Sequence, residues 1–337
     1  MPLEQLVQTF LPAIEEELHK ATAKARGPDL NLLHHMLAYH LGWEGDKAGP
    51  EARGKRIRPI LLLLTTAAAG GDWQAALPAA AAVELIHNFS LIHDDIEDNS
   101  PVRRGRPTLW KLWGVPQAIN AGDALFSVAH LALLDLPQST SANTTLKASH
   151  LLLETCLQLT QGQYLDISYE LRGDLTLQAY WPMVNGKTAA LLGTCTELGA
   201  LVAEAEVTVC SAYREFGHAL GLAFQVLDDL LGIWGDAALT GKSAESDLLS
   251  GKKSLPVLYG LSQAGDFAAR WAQGPITADE VPYLASQLER EGAHAYTREC
   301  ANNLTEEALK ALERAQPQGN AGVALQILAH KLLNRQV

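Results

Sequence analysis

The stretch that most constrains this chain is Leu77–Thr108, LPAAAAVELIHNFSLIHDDIEDNSPVRRGRPT. Its first part is apolar on almost every side, as expected of a helix in the middle of a bundle, and Pro78 suits the first turn. It ends in Asp94, Asp95 and Asp98. Asp94 and Asp98 lie one turn apart on one face, with Asp95 near the same edge. Like charges on one turn repel, and the C-terminal end of a helix disfavours anions further. A bound cation removes both penalties. Oxygen ligands without a nearby cysteine suit a hard ion such as Mg²⁺, which takes one or two carboxylates and completes its shell with water and substrate phosphate. Arg103 and Arg104 follow, with Arg106 behind them, and guanidinium groups there can hold phosphate oxygens bidentately. Carboxylates for a metal beside arginines for a phosphate suggest a metal–diphosphate site. The plain alternative is a solvated acidic helix end followed by a basic loop.

The chain has 337 residues, 47% of them apolar, which suffices for a large core. A net charge of −12 argues against a nucleic-acid partner, so the basic residues that matter act locally. Cys156, Cys195, Cys210 and Cys300 are widely spaced and form no CxxC, which points to reduced thiols and a cytoplasmic protein. The N-terminal residues carry early acids and no signal-peptide core. Charges interrupt the apolar runs before about 18 residues, so no membrane span is expected.

Helical periodicity runs through Leu3–Ala25, with Leu3, Leu6, Val7, Phe10, Ile14 and Leu18 on one side, and through Leu30–Leu41. Gly42–Gly54 reads as a loop. GKRIRP, Gly54–Pro59, then gathers Lys55, Arg56 and Arg58 at the start of an apolar helix, where free backbone N–H groups favour an anion. A basic helix cap is the bland reading of that stretch. His87 lies about two turns before Asp94 and can point to the same side. Gln117–Leu136 and Ala142–Glu170 are further helices. The second contains GQYLD, which places Gln163 and Asp166 on one face. Thr176–Asn185 is a short helix, and Lys187-Thr188 heads the next one, where a lysine does nothing for the dipole. Val207–Leu231 carries FQVLDD close to its end, so Asp228 and Asp229 repeat the first acidic arrangement. Lys242, Asp247, Lys252 and Lys253 follow in a glycine-rich segment. Val281–Glu291, Ala293–Arg314 and Val323–Leu333 complete the periodic segments; Lys331 and Arg335 there read as balancing a helix end. No sustained period-2 alternation occurs, and the fold class is all-α.

GKRIRP, DDIED with RRGRP, GKT, FQVLDD and GK…D…GKK, in that order over about residues 50–260, resemble the trans-isoprenyl diphosphate synthases, the family of the farnesyl and geranylgeranyl diphosphate synthases. The resemblance implies one domain over residues 1–337, a bundle of about a dozen helices around a deep central cavity, and a homodimer. It implies that the aspartate pairs face each other across that cavity. Asp94, Asp98 and Asp228 would hold Mg²⁺, about three ions with diphosphate bound. Asp95 and Asp229 would act close by or through water. Arg103, Lys187 and Lys242 would neutralise the allylic diphosphate, with Lys252 also at the substrate. Lys55, Arg58, His87 and Arg104 would seat the diphosphate of isopentenyl diphosphate. Gln225 and Thr188 would line the cavity and stabilise a cation, and Gln163 and Asp166 match the family's GQxxD element. The implied reaction ionises an allylic diphosphate, and the alkene of isopentenyl diphosphate attacks the carbocation.

Two positions depart from the family pattern. Gly232 stands where the second acidic motif usually has its last aspartate, with Asp236 four residues on read either as a partial substitute or as a turn residue, and Arg53 stands where many members have glycine. Phe89, five residues before Asp94 and beside Ser90, is expected to floor the product channel, and DDIED carries no two-residue insertion. Together these favour geranylgeranyl over farnesyl diphosphate. A class I terpene cyclase shares the fold but needs neither GKRIRP nor the second aspartate pair. A non-catalytic regulatory subunit would lose acidic motifs, whereas DDIED is intact. A metal hydrolase at His93-Asp94-Asp95 lacks further ligands.

Overall fold

The computed structural model describes residues 2–136, 140–170, 172–235 and 246–333. The main helices are α1 (Pro2–Thr22), α2 (Asn31–His40), α3 (Ile57–Ala68), α4 (Leu77–Glu97), α5 (Val115–Leu133) and α6 (Ala142–Glu170). They continue with α7 (Ala190–Val202), α8 (Val207–Trp234), α9 (Leu255–Ser262), α10 (Val281–Arg290), α11 (Ala293–Arg314) and α12 (Gly319–Leu333). The periodic segments read from the sequence all form helix, with ends shifted by a few residues. The chain divides into two compact units. The first comprises Met1–Leu153, Cys195–Cys210 and Gln316–Leu325; the second comprises Glu154–Thr194, Ser211–Ala315 and Gln326–Val337.

In the first unit α3 and α4 supply the core. Ile60–Leu64 of α3 are buried, as are Pro78–Ile86, Asn88 and Ile92 of α4. Each such leucine contributes about 1.5–3 kcal/mol by leaving water. Phe10, Ile14 and Leu18 of α1 pack into the same core. Helix α5 lies along α4, and small residues allow the approach: a Cβ on Gly122 would stand 2.3 Å from the His93 ring. In the second unit Ile233, Leu248, Val257, Phe267, Val281, Leu284 and Leu288 form a core around the end of α8 and the start of α9.

Several local features differ from the sequence reading. Val102–Arg103 and Arg106–Pro107 pair as a short antiparallel ribbon, with Arg103 opposite Arg106. Arg104 and Gly105, its two turn residues, both have positive φ, at 51° and 70°. That is the requirement of a tight hairpin turn, and a ribbon this short gives no alternation to read. The Gly42–Gly54 loop contains one helical turn, Pro50–Arg53. Thr176–Asn185 splits into a 3₁₀ turn, Leu177–Ala179, and a short helix, Tyr180–Val184. Asp228 and Asp229 do not end their helix, because α8 runs on to Trp234.

The membrane expectation also changes in detail. Trp73–Glu97 and Val207–Trp234 are long and apolar enough to cross a bilayer by length and composition. Both are mostly buried within the fold, at 72% and 61% of the relevant windows, as core helices are. The four cysteines are free, and burial pushes the thiols of Cys156 and Cys195 up to about 12.

Candidate active site

In the first unit the basic motif sorts its charges. Arg56 adopts a left-handed conformation and turns inward. It donates to Glu15 and Glu84, both at 2.8 Å, and to the Leu41 carbonyl at 3.1 Å. Burial opposes its charge, but Glu84 and Glu15 outweigh that and hold the guanidinium more firmly charged than usual. Arg56 therefore leaves the group of three free cations read from the sequence and becomes a buried anchor for the start of α3. Lys55 beside it is exposed, and Arg58 is half-buried. The Nε of Arg58 is buried and makes no hydrogen bond within the protein. Arg104 donates to the Ala52 carbonyl at 2.9 Å. Its guanidinium occupies the space over Gly54, where a Cβ would meet Cζ at 2.7 Å. Arg106 serves the fold: it donates to the carbonyls of Asp46, Tyr39 and Glu44 and stacks on the Tyr39 ring. It is removed from the arginines expected from the sequence to hold phosphate.

Two imidazoles sit among these cations. Burial, then Arg58, Arg104 and Arg103, holds His87 well below its ordinary range. Burial, then Arg104, Arg103 and Arg56, push His40 down to about 3, and its Nε2 has no partner within the protein. His40 was missed in the sequence, where it is one histidine near the end of an ordinary helix. Both rings are neutral near pH 7, so neither adds repulsion toward the arginines. Guanidinium charge, an unpartnered buried N–H and neutral imidazoles together describe an anion-receiving surface.

At the end of α4 the three aspartates separate. Asp95 is buried and accepts from Arg103 Nε at 2.8 Å. Burial raises its pKa despite Arg103. Asp94 is half-buried, and Asp98, the C-cap of α4, is exposed. Phe89 packs against Phe126 of α5, with ring centroids 5.2 Å apart. Phe126 was not read from the sequence, since only the α4–α5 packing brings it to Phe89.

In the second unit two glycines fix the chemistry. A Cβ on Gly162 of α6 would lie 2.2 Å from the Lys187 backbone nitrogen, and one on Gly186 would lie 2.6 Å from the Gln158 carbonyl. The backbones touch there, and Lys187 forms an ion pair with Asp166. Lys187 and Thr188 do not head a helix; they lie in a π turn, Asn185–Ala189, that runs directly into α7. Thr188 donates to the Gln225 side-chain oxygen at 2.9 Å, and Gln225 donates to Asp229 at 3.0 Å. Asp229 also accepts from Tyr180 OH at 2.7 Å and the Leu255 N–H at 3.0 Å. It is 1% exposed and occupied on both oxygens, so it orients Gln225 and the start of α9 instead of reaching a substrate. Burial raises its pKa; the donors and Lys252 oppose this. Tyr180 carried no sequence signal, because its partners lie far away in the chain.

Lys252 stands among carboxylates. Burial disfavours its charge, but Asp229, Asp247, Asp166 and Asp228 outweigh that and hold the ammonium more firmly charged than usual. Asp228 is half-buried, and Gln163 is on α6 beside Asp166's turn. Lys242 and Asp236 lie outside the described residues. Among the described residues no three carboxylate, imidazole or thiol groups gather into a metal cage. Mg²⁺ finished by water and phosphate asks for one or two carboxylates, and Asp94 with Asp98, or Asp228, fits that demand with hard oxygen donors.

A family model described as polyprenyl synthetase matches residues 48–281. The chain is 40% identical over 311 residues to the (2E,6E)-farnesyl diphosphate synthase of Mycobacterium tuberculosis, covering 89% of this chain and 86% of that protein. It is 41% identical over 305 residues to the geranylgeranyl diphosphate synthase of the same organism, covering 88% and 85%. The crystal structure of a polyprenyl synthetase from Streptomyces coelicolor is similar with a TM-score of 0.88 at 34% identity, over 98% of this chain and 99% of that one.

Proposed function

The chain belongs to the polyprenyl synthetase family, and on that premise we propose how its residues carry out the condensation. It is a short-chain trans-prenyl diphosphate synthase, a transferase that extends an isoprenoid diphosphate head to tail. Asp94 and Asp98 in the first unit, and Asp228 in the second, are the residues that would hold Mg²⁺, and the metal would supply charge withdrawal from the leaving diphosphate. Arg103, Lys187 and Lys252 neutralise the allylic diphosphate, and Lys242 joins them. Lys55, Arg58 and Arg104 seat the diphosphate of isopentenyl diphosphate, and neutral His87 donates a hydrogen bond to it. The alkene of isopentenyl diphosphate attacks the allylic carbon, a C–C bond forms, and a proton leaves to the released diphosphate. Thr188 and Gln225 orient a carbonyl dipole toward the developing cation. Asp95 positions Arg103, as Asp229 positions Gln225. The whole chain acts as one catalytic domain and as a homodimer in the cytoplasm, with α4 and α8 as core helices.

The observation that carries this assignment is the cationic cluster of the first unit, where Arg58 keeps a buried N–H without a protein partner beside neutral His87. A diphosphate oxygen is the acceptor that such a group lacks. The Phe89–Phe126 pair supports geranylgeranyl diphosphate as the product. The test is an assay with Mg²⁺, isopentenyl diphosphate and, separately, dimethylallyl, geranyl and farnesyl diphosphates, with products sized by mass spectrometry. Elongated diphosphates ending at twenty carbons are expected. Hydrocarbon or alcohol without elongation would mark a cyclase, and no turnover with any starter would overturn the assignment.

A further inference from the structure

Along α8, His218, Gly221, Gln225 and Asp229 are spaced three, four and four residues apart and share one face. That face runs along the π turn Asn185–Ala189 in the second unit. Gln225 accepts from Thr188 there, and a Cβ on Gly221 would lie 2.7 Å from the Ala189 Cα, so helix and turn are in close backbone approach. At the head of the turn His218 Nε2 is hydrogen-bonded to Asn185 Oδ1. An amide oxygen only accepts, so the ring N–H donates. The base of the His218 side chain packs on α7, where a Cβ on Gly193 would lie 3.4 Å from the His218 Cβ. Burial, then Arg214, holds His218 below its ordinary range against the pull of Glu307, so the ring is neutral near pH 7. A π turn is rare, and functional sites are its usual place. Here it sends the neighbours Lys187 and Thr188 to different helices, Lys187 to Asp166 of α6 and Thr188 to Gln225 of α8.

We infer that His218 is a positioning residue for Lys187: its hydrogen bond to Asn185 fixes the head of the π turn, and the turn aims the Lys187 ammonium at the allylic diphosphate. This rests on the reading of Lys187 as a ligand of that diphosphate. His218 acts through the turn and touches no substrate itself. Two anchors then hold the turn, the Gly162–Gly186 crossing from the side of α6 and His218 from the side of α8. Losing the second leaves the first in place, so the fold survives while Lys187 loses its aim.

The test uses the full-length protein. Calorimetry without isopentenyl diphosphate reads the Kd of geranyl diphosphate with Mg²⁺, kinetics reads the KM of isopentenyl diphosphate, and melting without ligand reports the fold. His218→Leu is expected to raise that Kd about tenfold, the scale of a displaced charge-assisted contact, and to leave the KM within about twofold. Asn185→Ala removes the acceptor from the other end and gives the same change, so the outcome does not hang on the folding of one variant. His218→Gln keeps an N–H donor and recovers most of the loss. In His218→Leu/Lys187→Ala the Kd matches that of Lys187→Ala alone, because His218 acts through Lys187. The inference is overturned by an unchanged Kd in His218→Leu and Asn185→Ala, by no recovery in His218→Gln, by additive losses in the double variant, or by a Kd and KM that rise together with a falling melting point. If Lys187→Ala itself leaves the Kd of geranyl diphosphate unchanged, the reading of Lys187 fails and takes this inference with it.

Discussion

Arg56 and Arg58 stand two residues apart in one motif and do different work. Arg56 is enclosed with Glu15 and Glu84, its side chain 1% exposed, so removing it strands buried carboxylates. Arg56→Met should destabilise the protein by about 3–5 kcal/mol, read from urea unfolding. Arg58 has no such partner, and its buried Nε is unsatisfied. Arg58→Met should leave stability unchanged or improved while raising KM for isopentenyl diphosphate more than about tenfold, because a charge-assisted hydrogen bond is worth about 1.5–3 kcal/mol. Equal loss of stability in both variants would contradict the division. The neutral histidines give a second residue-scale consequence. His40 is held down to about 3 and His87 is shifted the same way, so between there and about 6.5 the unfolded chain binds more protons than the folded one. Stability then rises with pH through that window and falls as pH drops below about 6.5. Urea midpoints from pH 7 to 5 should fall for the natural protein, and fall less for His40→Gln/His87→Gln; parallel curves would refute the assignment.

At the scale of elements, helices met expectation wherever apolar periodicity ran uninterrupted, as in Ala142–Glu170 and Ala293–Arg314. What was not legible came from contacts between elements. The π turn at Asn185–Ala189 follows from two glycines 24 residues apart, Gly162 and Gly186, that let two backbones touch. GQYLD and GKT are visible as strings, but their union as an Asp166–Lys187 pair is a property of that crossing. Gly162→Ala should force it open, at about 1–3 kcal/mol of overpacking, and should weaken Mg²⁺-dependent pyrophosphate binding along with thermal stability. Normal binding in a folded Gly162→Ala protein would show that the crossing does not position Lys187. Helices α4 and α5 set a second paired feature, the Phe89–Phe126 contact. If that pair floors the growing chain, Phe89→Ser and Phe126→Ala should each lengthen the product, seen as new longer prenyl alcohols after dephosphorylation. An unchanged distribution in both variants would remove the pair from length control.

At the scale of the whole molecule, the motifs identified the family because their order and spacing jointly admit few other chains, whereas assembly left a weaker trace. Helix α6 has two apolar faces. Ala148, Leu152, Cys156 and Leu159 are buried, yet Leu146, Leu153, Leu157, Tyr164 and Ile167 are 41–69% exposed. The exposed set falls at intervals of seven, four, seven and three residues, so it lines one side of the helix as a continuous seam. Nothing in the linear pattern distinguishes this seam from a core-facing one, since both are apolar stripes of the same period. Monomeric surfaces seldom leave so regular an apolar face in water, and a second copy of the chain is the partner that the homodimer reading supplies. Light scattering should therefore give about twice the 36.3 kDa chain mass for the natural protein. Leu153→Lys/Leu157→Lys places two ammonium groups opposite their symmetry mates and should shift the mass to that of one chain, with the helical content unchanged because both side chains already face solvent within the subunit. A double variant that keeps the dimer mass would place the interface elsewhere, and a natural protein that runs as one chain at micromolar concentration would remove the homodimer altogether.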